Sequence, residues 1–581
     1  LVYHAAGMHA QIHGSFFRLA HFAQALDGDF LASTLTWHFL GYFPLYLLIA
    51  IAWLWPLAGQ AASTVYPARR WRTALTVPLL LLVYFVAVPG PTLQAGNPLL
   101  STVVQVPGAF WRASAREAEP VLAVPDAETD PLFFLRDQSG QPRSARPNIL
   151  LIMVEGLSGA YLPSVAAHHG VTPDIAVPQL DQMVRRHRFQ LFPNAIAMQR
   201  QTDRGSYSIL CGDYPRITTG VPKMTLVAND GRQVSCLPQV LGEAGYQTLY
   251  LQAAMLRYMH KDVSMPLAGF DTVIGRGELE ALGTRSEGWG PEDGPFYAAA
   301  LDQLAALDAG TSPWFATLLN VATHHPFAPE AQDDGEAPQV RRNRAFVLLA
   351  NALDRLMSQL AARDMLDETV VILTSDEAAG YHTLDPGQEL LQNNFGFMGI
   401  RMPDRGRWPA LAAPSTVVAH MDVAVTVMDL LGLDAVSNMI GSSMLEHRRR
   451  RPRGLLFGDT YGARSFFLYD HGELVACDET LLRCQQWQFE PQRLFGSLRP
   501  SDKPPRLPVS ARHRIVGEAS LVRDKGVATD RGTRVAPTVI THRRPYLGKQ
   551  NLELAADDLL EVTVEAQVLS GDRHSISDGA L

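Results

Sequence analysis

The chain has 581 residues, 47% of them hydrophobic, and carries 50 basic against 58 acidic side chains for a formal net charge of −8. That length exceeds what one ordinary core organises, so a large globular domain with additional segments is expected. The acidic balance supplies no basic surface of the kind a phosphate backbone requires, which argues against nucleic acid as a partner.

In chain order, residues 1–36 hold an apolar stretch near Phe16 to Leu26 that fits an interfacial helix. Residues 37–57, WHFLGYFPLYLLIAIAWLWPL, contain no Lys, Arg, Asp or Glu and match the ~20 residues that cross a hydrocarbon core. A second apolar run, TALTVPLLLLVYFVAV at 73–88, follows Trp71 and stops at Pro89, Gly90 and Pro91. Both are predicted to span. Arg69, Arg70 and Arg72 between them read as a cytoplasmic loop, which puts everything after Pro91 outside. Two core helices of a soluble protein are the alternative, disfavoured by the aromatic ends and the basic loop. The chain opens at Leu1 without a signal-peptide pattern, so further membrane helices before it are expected.

Residues 1–90 thus read as a membrane region and 91–146, with Pro120, Pro125, Pro131 and Pro142, as a linker. Residues 147–498 read as the external domain, and 499–581 carry no motif. Within the domain, NILLIMV from Asn148 is a continuous apolar run of the kind found in parallel strands buried on both faces. YQTLYL, WFATLLNVAT and TVVILTSDE repeat the signal from Tyr246, Trp314 and Thr369. A helix is predicted from Arg344 to Leu366, with Phe346, Leu349, Leu353, Leu356 and Leu360 on one face. Alternating strands and helices predict an α/β domain with a mainly parallel sheet, and residues from about 450 to 495 predict a small antiparallel extension.

In parallel sheets ligands sit beyond the carboxyl ends of the strands. Glu155, His324 with His325, and Asp376 with Glu377 follow three of the apolar runs. A single Glu after a strand is usually a solvated loop residue; three such sites together are not so easily explained that way. The four cysteines form two local pairs, Cys211 with Cys236 and Cys477 with Cys484, without CxxC zinc spacing. Two disulfides in an oxidising compartment and four reduced, buried thiols both fit, and the membrane placement decides between them.

The succession NILLIMVEG, NAIAMQRQTDRG, WGPED, TLLNVATHHPF, ILTSDE and HMDVAVTVMDLLGL resembles the lipoteichoic acid synthase-like branch of the sulfatase and alkaline-phosphatase superfamily, whose members are membrane-anchored phosphoglycerol and phosphoethanolamine transferases. The resemblance runs from about Asn148 to Leu445. It implies a sulfatase-like fold, Thr202 as nucleophile and metal ligand, and Glu155 and Asp376 as metal ligands. Glu377 stands where the family usually has His, so its place in the ligand set is open. His324 matches the substrate-facing histidine, with His325 beside it; Trp289, Gly290 and Asp293 match the segment lining the phosphate pocket, and Arg204 or Arg285 is a candidate phosphate contact. His420, before Asp422, is an even choice between structure and site.

An all-oxygen set of Glu155, Asp376, Glu377 and the Thr202 hydroxyl favours manganese or magnesium over zinc. A phosphodiester needs such a cation to offset its charge, and Thr202 attack would give a phosphothreonine, with His324 serving as acid and then base. A helix starting at Thr202 would add free N–H groups for phosphate; Thr202 as an ordinary N-cap is the bland reading. The expected reaction moves phosphoglycerol or phosphoethanolamine from a phospholipid donor to a glycan or lipid acceptor at a bacterial inner membrane, on its periplasmic or extracellular side. Ester hydrolysis is an alternative, although no Cys/Ser-x-Pro-x-Arg sequence occurs. A non-catalytic lipid-binding protein on the same fold is another.

Overall fold

The computed structural model describes residues 146–505, apart from 216–223, 225–234 and shorter stretches, together with three strands further on. The predicted spans at 37–57 and 73–88, the interfacial helix and the linker lie outside the described residues. Among the described residues no helix is long and apolar enough to cross a membrane.

The apolar runs form strands where they were expected. They are β1 (Asn148–Val154), β3 (Gln247–Gln252), β5 (Trp314–Leu319) and β6 (Thr369–Ser375), joined by β2 (Gln190–Leu191), β4 (Thr272–Ile274) and β7 (Met398–Arg401). The sheet order is β2-β7-β6-β1-β5-β3-β4. Five adjacent strands, β6 through β4, run parallel, while β7 is antiparallel to both β6 and β2. Every residue of β5 and β6 is buried, which explains why these strands read as unbroken apolar runs instead of alternating ones. The antiparallel edge gave no such signal, because β2 is two residues long and β7 is MGIR.

Helices cover the faces: α1 (Thr202–Cys211), α2 (Lys261–Leu267), α3 (Asp293–Asp308), α4 (Pro338–Ala362) and α5 (Asp422–Leu431). The predicted 344–366 helix is α4. It begins earlier because Pro338 suits the first turn, and it stops at Ala362, beyond which Asp364 turns left-handed at φ 58. Its apolar stripe, Phe346, Leu349, Leu353, Leu356 and Leu360, is buried.

The antiparallel extension is a five-stranded meander of β8 (Gly454–Asp459), β9 (Arg464–Tyr469), β10 (Glu473–Asp478), β11 (Cys484–Gln488) and β12 (Arg499–Pro500). It joins the main domain where Asn394 Nδ2 donates to Gly458 O at 2.9 Å and Gly458 N donates to Met198 O at 2.9 Å. Both cysteine pairs are disulfides. Cys477 and Cys484 lie directly opposite each other on β10 and β11, and Cys211 ties the end of α1 to Cys236. Residues 499–581 include a small antiparallel sheet of Thr533–Val535, Val564–Val568 and Arg573–Ile576.

Candidate active site

Because β5 and β6 both pair with β1, the residues just past these three strands are forced together. Glu155 N donates to Asn320 Oδ1 at 2.8 Å, and Gly156 N donates to Asp376 Oδ1 at 3.0 Å. Gly156 takes φ 65, a turn that favours glycine and ends β1 sharply enough to leave Glu155 at the edge.

Thr202 is the first residue of α1 and not its N-cap, a position held by Gln201. Its hydroxyl donates to Glu155 Oε2 at 3.1 Å. The QTDRG glycine explains how α1 comes so near: a Cβ on Gly205 would stand 1.7 Å from the Asp376 carbonyl oxygen. Only glycine permits that approach, so the motif brings the start of α1 close to the backbone at Asp376.

The site seals charge away from water. Burial, with Glu377 close by, pushes the Glu155 carboxyl up to about 7, and burial pushes Asp376 well above the usual carboxylate range. Asp203, completely buried beside Thr202, is raised to about 6 for the same reason. Lys261, the first residue of α2, is the nearby cation: burial lowers its pKa, while Asp376, Asp203 and Glu155 hold it up. Asp376 Oδ2 has no hydrogen-bond partner among the described residues. Glu377 N donates to Asp376 Oδ1 at 2.6 Å, and its carboxylate accepts a hydrogen bond from Gln201 N.

His324 packs its ring on Trp289, centroids 4.7 Å apart, and Trp289 in turn meets Tyr258. The bond of His324 Nδ1 to the His325 carbonyl, 2.7 Å, requires the proton on Nδ1 and leaves Nε2 as the basic nitrogen. Burial lowers the pKa of His324, opposed by the His325 carbonyl and by Glu377 and Asp376. His325 falls to about 4 through burial and the adjacent His324. Asp293, at the start of α3, accepts from Asn320 Nδ2 at 2.9 Å, so it stands behind Glu155 in an Asp293, Asn320, Glu155 relay; burial raises it to about 7. Arg204 is fully buried with Nη1 on Gln199 Oε1 at 2.8 Å, and Arg285 is exposed. His420 is buried, and that burial lowers it to about 3.

Asn320, Lys261 and Asp203 escaped the sequence reading. Asn320 had a signal, as the first polar residue after β5; attention went instead to the histidines four and five places further on. Lys261 had none, since nothing in MHKDV distinguishes a buried lysine from a surface one.

The residues at the edge fit a hard divalent cation. Glu155, Asp376 and the Thr202 hydroxyl present oxygen donors only, and both carboxylates are buried. Among the described residues no group of three His, Cys, Asp or Glu side chains is arranged to hold a metal ion.

The edge of the parallel sheet thus sets a helix-borne hydroxyl, Thr202, against the buried carboxylate of Glu155. Residues 147–433 match the Sulfatase family model, which makes this stretch a sulfatase-family domain. Among its relatives, phosphoglycerol transferase I of Salmonella arizonae is 25% identical over 326 residues, 54% of this chain and 41% of the relative. Phosphoglycerol transferase I of Escherichia fergusonii is 24% identical over 335 residues, 55% and 43% of the two chains. The chain therefore spans about two fifths of the length of these curated relatives. A crystal structure of an alkaline-phosphatase superfamily protein from Vibrio parahaemolyticus superposes with TM-score 0.50 at 18% identity, covering 71% of this chain and 94% of that one, a likeness of fold.

Proposed function

We propose that this chain is a membrane-anchored, metal-dependent transferase that moves phosphoglycerol from a phospholipid to a glycan or lipid acceptor through a phosphothreonine at Thr202. Phosphoethanolamine is the alternative head group. The observation that carries the reading is the Thr202 hydroxyl at the start of α1, hydrogen-bonded to Glu155, on a helix whose Gly205 lies against the Asp376 backbone. The names of the two transferase relatives support phosphoglycerol as the group moved. The apolar runs at 37–57 and 73–88 support the anchor.

Glu155, Asp376 and Thr202 would hold the divalent cation, manganese or magnesium, which when bound supplies positive charge for the phosphate oxygens and acidifies the hydroxyl. Glu155, which accepts the Thr202 hydroxyl hydrogen bond, takes its proton as Oγ1 attacks phosphorus and the bond to the lipid oxygen breaks, and returns it to Oγ1 in the second displacement. The free amides at the start of α1 receive the phosphate oxygens. His324, its Nδ1–H held by the His325 carbonyl, gives the Nε2 proton of its imidazolium form to the departing lipid alkoxide and recovers one at Nε2 from the acceptor hydroxyl in the second displacement. Trp289 holds the imidazole in place by a tilted ring contact.

The test is intact-mass and peptide mass spectrometry of the membrane-embedded protein incubated with manganese and labelled phosphatidylglycerol and phosphatidylethanolamine. A labelled adduct confined to Thr202 is expected, and its mass names the head group. No adduct and no turnover, with lipid bound, would replace this reading by a lipid-binding one.

A further inference from the structure

Gln201 is one of the few described non-glycine residues with positive φ, at φ 97 and ψ 125, and it directly precedes Thr202. Such a conformation is strained for a residue with a side chain and persists only where neighbours hold it. Its own side chain does not hold it. Gln201 is buried, both its amide atoms lack a partner among the described residues, and it makes no side-chain cap on α1. The group that grips the backbone is the Glu377 carboxylate, which accepts the Gln201 N–H. The other side of Gln201 is committed too, since its carbonyl accepts from Arg204 N at 3.0 Å and Gly205 N at 3.1 Å, forming the first turn of α1. A rotation of residue 201 would therefore carry the first turn and the Thr202 hydroxyl with it. Glu377 is itself anchored, because its N–H donates to Asp376. A carboxylate at this end of a helix is further favoured by the dipole.

We infer that Glu377 is a positioning residue: it clamps Gln201 in its glycine-like conformation and so fixes Thr202 Oγ1 on Glu155, instead of serving chiefly as a metal ligand. The inference rests on Thr202 being the nucleophile. It accounts for a glutamate at a position where the resembling family usually has histidine. A carboxylate offers an anionic acceptor to a backbone N–H, which a neutral imidazole bearing its proton on the facing nitrogen cannot do.

The experiment compares Glu377→Ala, Glu377→Gln, Gln201→Gly and the Gln201→Gly/Glu377→Ala double variant in the full chain. Readouts are manganese stoichiometry by elemental analysis, hydrogen exchange of the amides at 201–205 without metal, and turnover with phosphatidylglycerol. With the clamp removed, Glu377→Ala keeps stoichiometric manganese, exchanges faster at 201–205, and loses about 10- to 100-fold in kcat, as a small misplacement of a nucleophile does. Glu377→Gln, which retains an acceptor oxygen, recovers most of that loss. Gln201→Gly lessens the effect of Glu377→Ala, because glycine adopts the conformation without strain. The inference is overturned if both Glu377 variants lose manganese, exchange at 201–205 is unchanged, and glycine at 201 rescues nothing; Glu377 is then a ligand. A failure of the parent reading is separately visible, since Thr202→Ala would still form the labelled adduct while the metal-free exchange result stands.

Discussion

The carboxyl edge of the parallel sheet and the antiparallel meander at 454–500 lie in one domain and obey opposite rules. In the meander Phe466, Phe467, Leu474 and Val475 are buried, successive strands complete each other's ladders, and a disulfide joins residues already opposite in register. At the parallel edge Glu155, Asp203 and Asp376 are buried with pKa values driven upward, and Asp376 Oδ2 lacks a partner among the described residues. The meander closes its backbone ladders strand on strand, while the edge gathers buried carboxylates. Burial that costs stability yet is built from three separate segments is a pattern of sites more than of scaffolds.

Thr202→Ala breaks the contrast most severely. Turnover and the labelled adduct should fall at least about a thousandfold with the thermal transition nearly unchanged, measured by lipid-transfer assay beside a melt. Gly205→Ala strikes the same edge through packing. The added methyl cannot coexist with the Asp376 carbonyl, so a stability loss of about 1–3 kcal/mol is expected by denaturant titration, with impaired manganese binding. Asn320→Ala leaves Glu155 N and Asp293 without their partner, and manganese affinity should weaken about 10- to 100-fold by calorimetry.

A pH series sharpens the comparison. The folded, metal-free Glu155 carboxyl sits at about 7, above its ordinary 4.5, so the folded state binds that proton more tightly than the unfolded chain. Its contribution to metal-free stability is thus present below about 4.5 and lost as pH rises through about 7. Manganese must displace the same proton, so affinity should fall as pH drops below about 7, with proton release detectable by calorimetry in buffers of different ionisation enthalpy. Glu155→Gln should remove that part of the pH dependence of the metal-free melt. The smallest effect on turnover belongs to the meander: Cys477→Ser with Cys484→Ser should cost about 2 kcal/mol of stability and leave kcat/KM within about twofold.

Much of this contrast was legible in the residues. Strands buried on both faces have to be continuous apolar runs, so β1, β3, β5 and β6 declared themselves, and so did Glu155 and Asp376 at their ends. The spacing of Cys477 and Cys484 within alternating segments matched the hairpin that joins them. The edge strands β2 and β7 were silent because two and four residues carry no periodicity. Asn320 was readable and passed over; Lys261 and Asp203 were not, since burial of a charged residue depends on what distant segments place around it.

The amino-acid order by itself determined the strand and helix types, the polar residues delivered to one edge and the glycine at 205, because these follow from local period and steric size. Only the tertiary structure decided that Asp293 supports Asn320 instead of standing alone, that Thr202 opens α1 with its hydroxyl on Glu155, and that Glu377 reaches the Gln201 peptide. Those relations join residues separated by 27, 47 and 176 positions. No local pattern encodes contacts at such separations; they arise when the parallel sheet brings its strand ends into register.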